Sequence, residues 1–341
     1  MRYQLLFFAF LILHTSFGQK FQTPTEYVSY IKDQENNISK STWKYTSAIA
    51  QKNWVKIEEC KEKLIKDIQV AKKKIGKLKE GYNGDVAYQN QILYYFDLCE
   101  KSLTEEYGKI IDLNDLAEQS NDAMDAYMQL DELVNAKLDA ENEKVLATYK
   151  SFAEKYNVAL TEKSEWSQKI SVYNQVCAYF NEINLLCFKV NFTDENLSKA
   201  ILNADLGAIQ QNNNILVQYS DEGLSKLETI QPYDGDYSVI NSATKVFEYY
   251  KKQGQEYIPS VIGFFMSLDK FKNARTTLQS KSKEEKSQEE KDNYTAILKN
   301  LENELVAIRK VIYNNEKNKN ELLSQWKATG QDFIVRHIPK D

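Results

Sequence analysis

Residues 116–156 read LAEQSNDAMDAYMQLDELVNAKLDAENEKVLATYKSFAEKY, and this stretch decides the fold class. It lies within a longer segment, from Gly108 to Gly207, that has no glycine or proline between its ends. Apolar or aromatic residues recur in it at steps of three, four or seven: Leu116, Ala123, Tyr127, Leu130, Val134, Leu138, Val145, Tyr149, Phe152 and Tyr156. Such steps place side chains on one face of a helix, here about 60 Å long. The pattern therefore predicts long amphipathic helices.

A second periodic pattern lies near the C-terminus. Its apolar residues alternate steps of four and three, and after a polar interruption they resume in the same register: Tyr294, Leu298, Leu301, Leu305, Ile308, Ile312, then Leu322 and Trp326. This is typical of a coiled-coil seam. Ser282 with Glu285 matches a capping box that would open this last helix. We therefore expect Leu301, Leu305, Ile308 and Ile312 to bind a partner helix, or a second copy of the chain, unless the seam is covered internally.

The beginning of the chain after residue 22 is also helical in character. Thr23-Pro24-Thr25-Glu26 matches a capping box with proline at the first helical position. No stretch shows strict alternation long enough to predict a sheet. The predicted fold is all-α, a bundle of long antiparallel helices.

A turn motif recurs and suggests an internal duplication. Tyr82-Asn83-Gly84-Asp85 reappears as Tyr233-Asp234-Gly235-Asp236, at an offset of 235 − 84 = 151. We predict two tandem related helical units, 19–160 and 161–341, packed as one elongated domain. Chance similarity between helices is the alternative. In each turn we expect the glycine to end the preceding helix and the second aspartate to cap the next. A calcium site would need more oxygen ligands.

The first residues match a secretory signal peptide over residues 1–18. Arg2 is followed by an apolar run from Leu5 to Leu13, and Ser16 and Gly18 provide small residues before a cleavage site. The run is too short to span a bilayer, although an N-terminal membrane anchor is the alternative. We therefore expect an exported protein, periplasmic or at the cell surface. Whether Cys60 and Cys99 form a disulfide is left open by the sequence.

Composition narrows the range of functions. The net charge of −5 argues against a nucleic-acid partner, which would require a basic face. No later apolar stretch is long enough to cross a membrane. After the predicted signal peptide the chain has a single histidine, His337, which we expect in a C-terminal tail. Histidine-based zinc and di-iron motifs are absent, as are nucleotide-binding and serine-hydrolase motifs. We predict no catalytic, cofactor or metal residues and no enzyme; hydrolysis by carboxylates alone is the least excluded activity.

Aromatic residues are numerous, with 22 tyrosines and four tryptophans. Most have the spacing of core residues, including Tyr95, Phe96 and Tyr173. Trp54, beside Asn53 at a predicted helix start, is the aromatic residue least committed to a core. It is therefore a further candidate for binding.

Three segments carry a resemblance to a known family: Thr42-Trp43-Lys44-Tyr45-Thr46, the two Tyr-x-Gly-Asp turns, and 115–120 (DLAEQS) with 122–128 (DAMDAYM). With them the chain resembles a family of uncharacterised exported all-helical bacterial surface proteins, over most of its length after the signal peptide. The resemblance implies a location at the envelope or surface and implies no chemistry.

These observations favour a non-enzymatic envelope or surface protein that works by binding or scaffolding. The alternative is a carrier of a small molecule or glycan, with a pocket between helices. An enzyme of unrecognised type is a third hypothesis, which would require a buried cluster of carboxylates.

Overall fold

The computed structural model describes residues 21–106 and 121–340, and the side chain of Trp54 and those of residues 106 and 121–132 are outside that description. The predicted signal peptide and the segment 115–120 also lie outside it. The chain divides into two compact units, Met1–Ile170 and Ser171–Asp341. Helices dominate the described ranges, where extended pairing is limited to the isolated bridges Tyr82–Asp85 and Tyr233–Asp236. The all-α prediction is confirmed.

Within its described residues, 21–106 and 121–170, unit 1 contains the following helices and a π-helical turn, besides the start of the first helix of unit 2. They are α1 (Pro24–Ala50), α2 (Trp54–Ile75), α3 (Ala87–Lys101), the π-turn π1 (Ser102–Glu106) and α4 (Asn121–Tyr156). The predicted capping box opens α1, because the Thr23 hydroxyl accepts a hydrogen bond from the Glu26 amide at 3.2 Å. The core is aromatic and aliphatic, with Tyr27, Ile31 and Ile75 fully buried. Burying such side chains is the main stabilising contribution to the fold.

Unit 2 contains most of the remaining helices. They are α5 (Glu165–Leu202, which begins in unit 1), α6 (Leu206–Thr229), α7 (Ser238–Lys252), the π-turn π2 (Gln253–Tyr257), α8 (Ile258–Gln279) and α9 (Gln288–His337). Its core includes Ile183, Leu197, Phe247 and Phe333, none of which is exposed to solvent. Within the described residues, no helix is long and apolar enough to cross a membrane.

The start of α9 corrects one prediction. The helix begins at Gln288, with Ser287 and Glu290 forming the capping box, instead of Ser282 and Glu285. Both pairs fit the same four-residue pattern, and the later serine has the extended backbone conformation of a cap. Ser282 keeps a local bond from its amide to the Glu285 carboxylate at 2.9 Å.

The two recurring turns have the same structure, although one expectation about them is wrong. Gly84 and Gly235 have φ angles of +82° and +81°, the left-handed conformation that glycine adopts at little cost. However, α2 already ends at Ile75, so the glycine lies in the connection and does not terminate the helix. The aspartates do accept from the next helix: Asp85 Oδ1 from the Ala87 amide at 3.2 Å, and Asp236 Oδ1 from the Ser238 amide at 2.7 Å.

Other local features also recur at nearly constant offsets. Helices α3 and α7 both have 15 residues, and the π-turn follows each of them at once. Earlier in each unit, Lys52 and Ala204 have φ angles of +51° and +53°, at an offset of 204 − 52 = 152. The next residues, Asn53 and Asp205, cap α2 and α6 through their side chains.

The final helices match at a larger offset. Phe152 packs against Tyr82 in unit 1, and Phe333 packs against Tyr233 in unit 2, at ring-centroid distances of 6.1 and 5.7 Å. The offset of these phenylalanines is 333 − 152 = 181, against 151 at the π-turns. Unit 2 therefore has 181 − 151 = 30 residues more between its π-turn and this contact.

Candidate functional site

The additional length of unit 2 coincides with a two-helix arm, which we define as residues 262–307. It consists of most of α8, the connection, and the first part of α9. Every residue of the arm is described, and none of them is buried. Phe271 of α8 and Tyr294 of α9 stack with ring centroids 5.6 Å apart, which sets the register of the two antiparallel helices.

The predicted seam of the last helix faces α8 in part. Leu301 and Leu305 are half-buried, and Ile308, just beyond the arm, is buried at 6% exposure. Ile312 is exposed at 37%. The seam is therefore partly covered within the chain, and a two-helix pair leaves its apolar residues open at the sides.

Large apolar side chains are exposed on and next to the arm. Val306 is 72% exposed, Tyr313 is 68% exposed and Met266 is 54% exposed. Val306 and Tyr313 are seven residues apart and so lie on the same face of α9. Single exposed apolar residues are common on proteins, but this pair continues along one helix face.

A buried polar network lies at the base of the arm, where π2 leads into α8. The carboxylate of Asp194, in α5, accepts hydrogen bonds from the Gln253 amide and, at 3.1 Å, from the Lys319 ammonium of α9. Asp194 and Gln253 are both 4% exposed. Asn315 Nδ2 donates to the side-chain oxygen Oε1 of Gln253 at 3.1 Å, and Asn315 Oδ1 accepts from the Tyr249 hydroxyl at 2.9 Å.

The π-turn itself is fitted closely to α6. A Cβ atom on Gly254 would lie 2.5 Å from Val217 Cγ2, so only glycine allows this approach. Asn213 of α6 donates to the Gly254 carbonyl oxygen at 3.1 Å. π-turns inside helices are frequent at functional sites and hinges. Here the turn brings α5, α6 and α9 together at the origin of the arm.

Electrostatics at the base are dominated by burial. Burial raises the pKa of Asp194, and the nearby Glu316 raises it further. Lys319 and the hydrogen bond from Gln253 lower this pKa by less, so it is raised overall. Burial alone would lower the pKa of Lys319, but its bonds to Asp194 and Glu316 raise it overall. A buried pair of this kind is costly to break by removing one partner.

The C-terminal end of α9 is hydrogen-bonded to the second Tyr-x-Gly-Asp turn, at Asp236. His337, which we expected in a tail, is the last residue of this helix, and its Nε2 lies 2.9 Å from Asp236 Oδ2. Arg336 donates to the same oxygen at 2.6 Å. Burial would raise the pKa of Asp236, but hydrogen bonds from His337, Ser238 and Arg336 hold it well below its usual range. In unit 1 the corresponding ion pair is Asp85 with Lys155, at 2.7 Å.

A shallow groove of about 330 Å³ is present in unit 1. It is lined by Asp85, Ala87, Ala147, Thr148, Ser151, Phe152 and Lys155. Several of these side chains are small, and the Asp85–Lys155 ion pair is part of the lining. This volume is at the lower limit of small-molecule sites.

The remaining predicted candidate, Trp54, is the first residue of α2. This helix is capped by Asn53, whose Oδ1 accepts a hydrogen bond from the Lys56 amide at 3.2 Å.

The four cysteines are free thiols in the structure, Cys60 and Cys99 included. Sequence reasoning did not find the polar network. Its one visible sign was Gly254 inside a helical stretch.

Comparison with known proteins identifies no relative, since no protein-family model, curated protein or solved structure matches this chain.

Proposed function

We propose that this is an exported, non-enzymatic protein of the bacterial envelope or surface, and that the arm is the surface through which it binds a protein partner. The observation that carries the proposal is the burial pattern of the arm. Its 46 residues, 262–307, include no buried side chain, although the seam is rich in aromatic and branched aliphatic residues. Helices of globular proteins normally bury such a stripe. A helical partner lying along the arm would complete its burial.

The exposed residues support the same surface. Val306 and Tyr313 extend the apolar character of the seam to the outer face of α9. Tyrosine is enriched at the energetic centres of protein interfaces. Location at the envelope rests on the signal-peptide pattern of residues 1–18 and on the family resemblance.

We further propose that the two units are copies of one ancestral helical unit, and that the arm is an insertion in the second. The matching turns, the two 15-residue helices and the two π-turns support this. An insertion can add a binding surface while the parent fold keeps its own core. The arm would then serve binding rather than stability.

The test is crosslinked co-purification from intact cells at native expression. The full chain is compared with a variant in which residues 268–297 are replaced by a short glycine-serine linker. We expect one stoichiometric envelope protein with the full chain and its loss with the variant. Equal recovery of the same partner by both proteins would exclude residues 268–297 as part of the binding surface.

A carrier of a small molecule or glycan is the second candidate, and the groove of unit 1 favours it. Ser151 is exposed in the groove, and Ser151→Trp would fill it. A ligand that binds only the folded protein raises its melting temperature. A ligand that stabilises the wild type and not Ser151→Trp would support this function. Stabilisation of both proteins to the same extent would place the ligand elsewhere.

A further inference from the structure

The outer face of α9 carries lysines and large apolar residues in one row. We define the outer stripe as Lys299, Val306, Lys310, Tyr313 and Lys317, which follow one another at steps of seven, four, three and four. Such steps keep side chains on one face of a helix, here over about 27 Å. All five side chains are exposed, Val306 to 72% and Tyr313 to 68%.

The outer stripe faces away from the seam that packs on α8. The buried Ile308 of the seam lies two residues after Val306, which is about 200° around the helix. Lys299 and Lys310 form no ion pair with any of the described residues, and Lys317 has only a long one, with Glu321 at 3.9 Å. The positive charges of the stripe are therefore available to a partner.

Most acidic residues of the same segment of α9 are placed elsewhere. Glu304 lies two residues before the first apolar residue of the stripe, so it is about 200° around the helix. Glu316 is 2.9 Å from Lys319, at the buried polar network. Glu302 borders the stripe, but the same edge carries Arg309, seven residues later. The stripe with its edge is thus positive.

This combination of residues narrows the class of partner. A helix face that only meets solvent is polar throughout, whereas this face exposes an aliphatic and a tyrosine side chain between its lysines. Pairing with the same stripe of a second copy would place lysine against lysine, which is repulsive. Burial in a lipid surface requires a broader apolar face than two side chains provide.

We propose that the outer stripe binds an acidic amphipathic helix of the partner. The inference rests on the proposed function and names the chemistry of that partner. Its carboxylates would face Lys299, Lys310 and Lys317, at the same steps of seven and four, and its apolar side chains would cover Val306 and Tyr313. Lysine stems extend apolar contact while their ammonium groups reach the carboxylates. Opposite charges across the interface speed association and select the partner.

The experiment is photo-crosslinking of the full chain in intact cells. The photoreactive residue replaces Asn303, an exposed neutral residue beside the stripe, so the stripe itself is unaltered. The variant carries Lys299→Glu, Lys310→Glu and Lys317→Glu. We expect the yield of the crosslinked partner to fall at least about tenfold, because like charges would then face each other. An undiminished yield would overturn the proposal. If this variant does not fold, Lys299→Gln, Lys310→Gln and Lys317→Gln replace it, and a loss of at least about threefold is expected.

The matched control reverses three exposed lysines of unit 2 outside the stripe: Lys245→Glu, Lys270→Glu and Lys327→Glu. It changes the net charge by the same amount and should keep the wild-type yield. Equal losses in the two variants would attribute the effect to net charge and would overturn the proposal.

Mass spectrometry of the crosslinked peptide tests the chemistry of the partner directly. We expect a segment of net negative charge whose apolar residues recur at steps of three and four. A neutral or basic segment, a lipid, or a second copy of this chain at that position would each contradict the proposal.

The outer stripe lies outside the deletion of residues 268–297, so the two proposals fail separately. Capture that is lost on deletion and kept on charge reversal contradicts the acidic partner helix alone. Capture that is kept on deletion and lost on charge reversal contradicts the role of the outer part of the arm alone. No crosslinked protein from the wild type would contradict both.

Discussion

Removing the outer part of the arm, residues 268–297, should leave unit 2 folded. The register set by Phe271 and Tyr294 places Ser267 nearly opposite Leu298, so a short glycine-serine linker can join them after deletion of 268–297. The deletion removes 30 residues. This is the number by which the segment from π2 to Phe333 in unit 2 is longer than the segment from π1 to Phe152 in unit 1. None of the deleted residues is buried, so no cavity is created in the core.

The magnitude follows from that burial. We expect the free energy of unfolding of unit 2 to change by no more than about 1 kcal/mol, as for changes remote from a core. Phe333→Ala is the contrasting variant, because Phe333 is fully buried between Tyr179 and Tyr233. Removing such a side chain costs about 3–5 kcal/mol.

The assay is urea denaturation followed by hydrogen exchange in peptides of α5 and the end of α9, which report unit 2 separately from unit 1. A deletion that costs as much as Phe333→Ala, or that unfolds α7, would refute the reasoning and show that the arm is part of the core.

Three further predictions use single residues or the chain terminus. Gly263→Ala should stabilise α8 by up to about 1 kcal/mol in thermal unfolding, because the added Cβ meets nothing within 4 Å. Gly223→Ala should destabilise the protein, because its Cβ would lie 2.3 Å from the buried Phe247 ring. A stabilised Gly223→Ala variant would contradict this packing. Asp236→Asn should cost about 1–3 kcal/mol at neutral pH. Because the folded pKa of Asp236 is lowered, that difference should begin to shrink as the pH falls below about 4 and continue to shrink toward the lowered pKa. Asp234→Asn, at an exposed turn position, is the control, and a difference that stays constant on acidification would argue against the ion pair. N-terminal sequencing of the exported protein should find Gln19 or a close neighbour, and an intact residue 1 would reject the signal peptide.

Local rules predicted much of the fold. The absence of helix breakers and the three-four periodicity were sufficient for the all-α assignment, and Thr23 with Glu26 located the start of α1 within the chain. Ser282 failed as the start of α9 because the same capping pattern recurs five residues later, and pattern alone cannot choose between them. The glycines of the turns were assigned the wrong relation to the preceding helix, because a helix-ending glycine and a glycine in a connection have the same sequence signature.

The candidate site depended on contacts that sequence does not show. Asp194 meets Gln253 and Lys319 from 59 and 125 residues away, and a single aspartate within a long helix has the appearance of a surface residue. The seam of α9 was visible as a pattern, but its partial cover by α8 follows only from the way the chain turns back at residues 280–287.

The most direct test of the arm as a binding surface is site-specific photo-crosslinking in intact cells. A photoreactive residue replaces Val306 or Tyr313 and, as controls of similar exposure in unit 1, Val55 or Leu133, which are 71% and 66% exposed. We predict one discrete crosslinked protein from the positions on α9 and none from the controls. Equal crosslinking at all four positions, or crosslinks only in unit 1, would contradict the account.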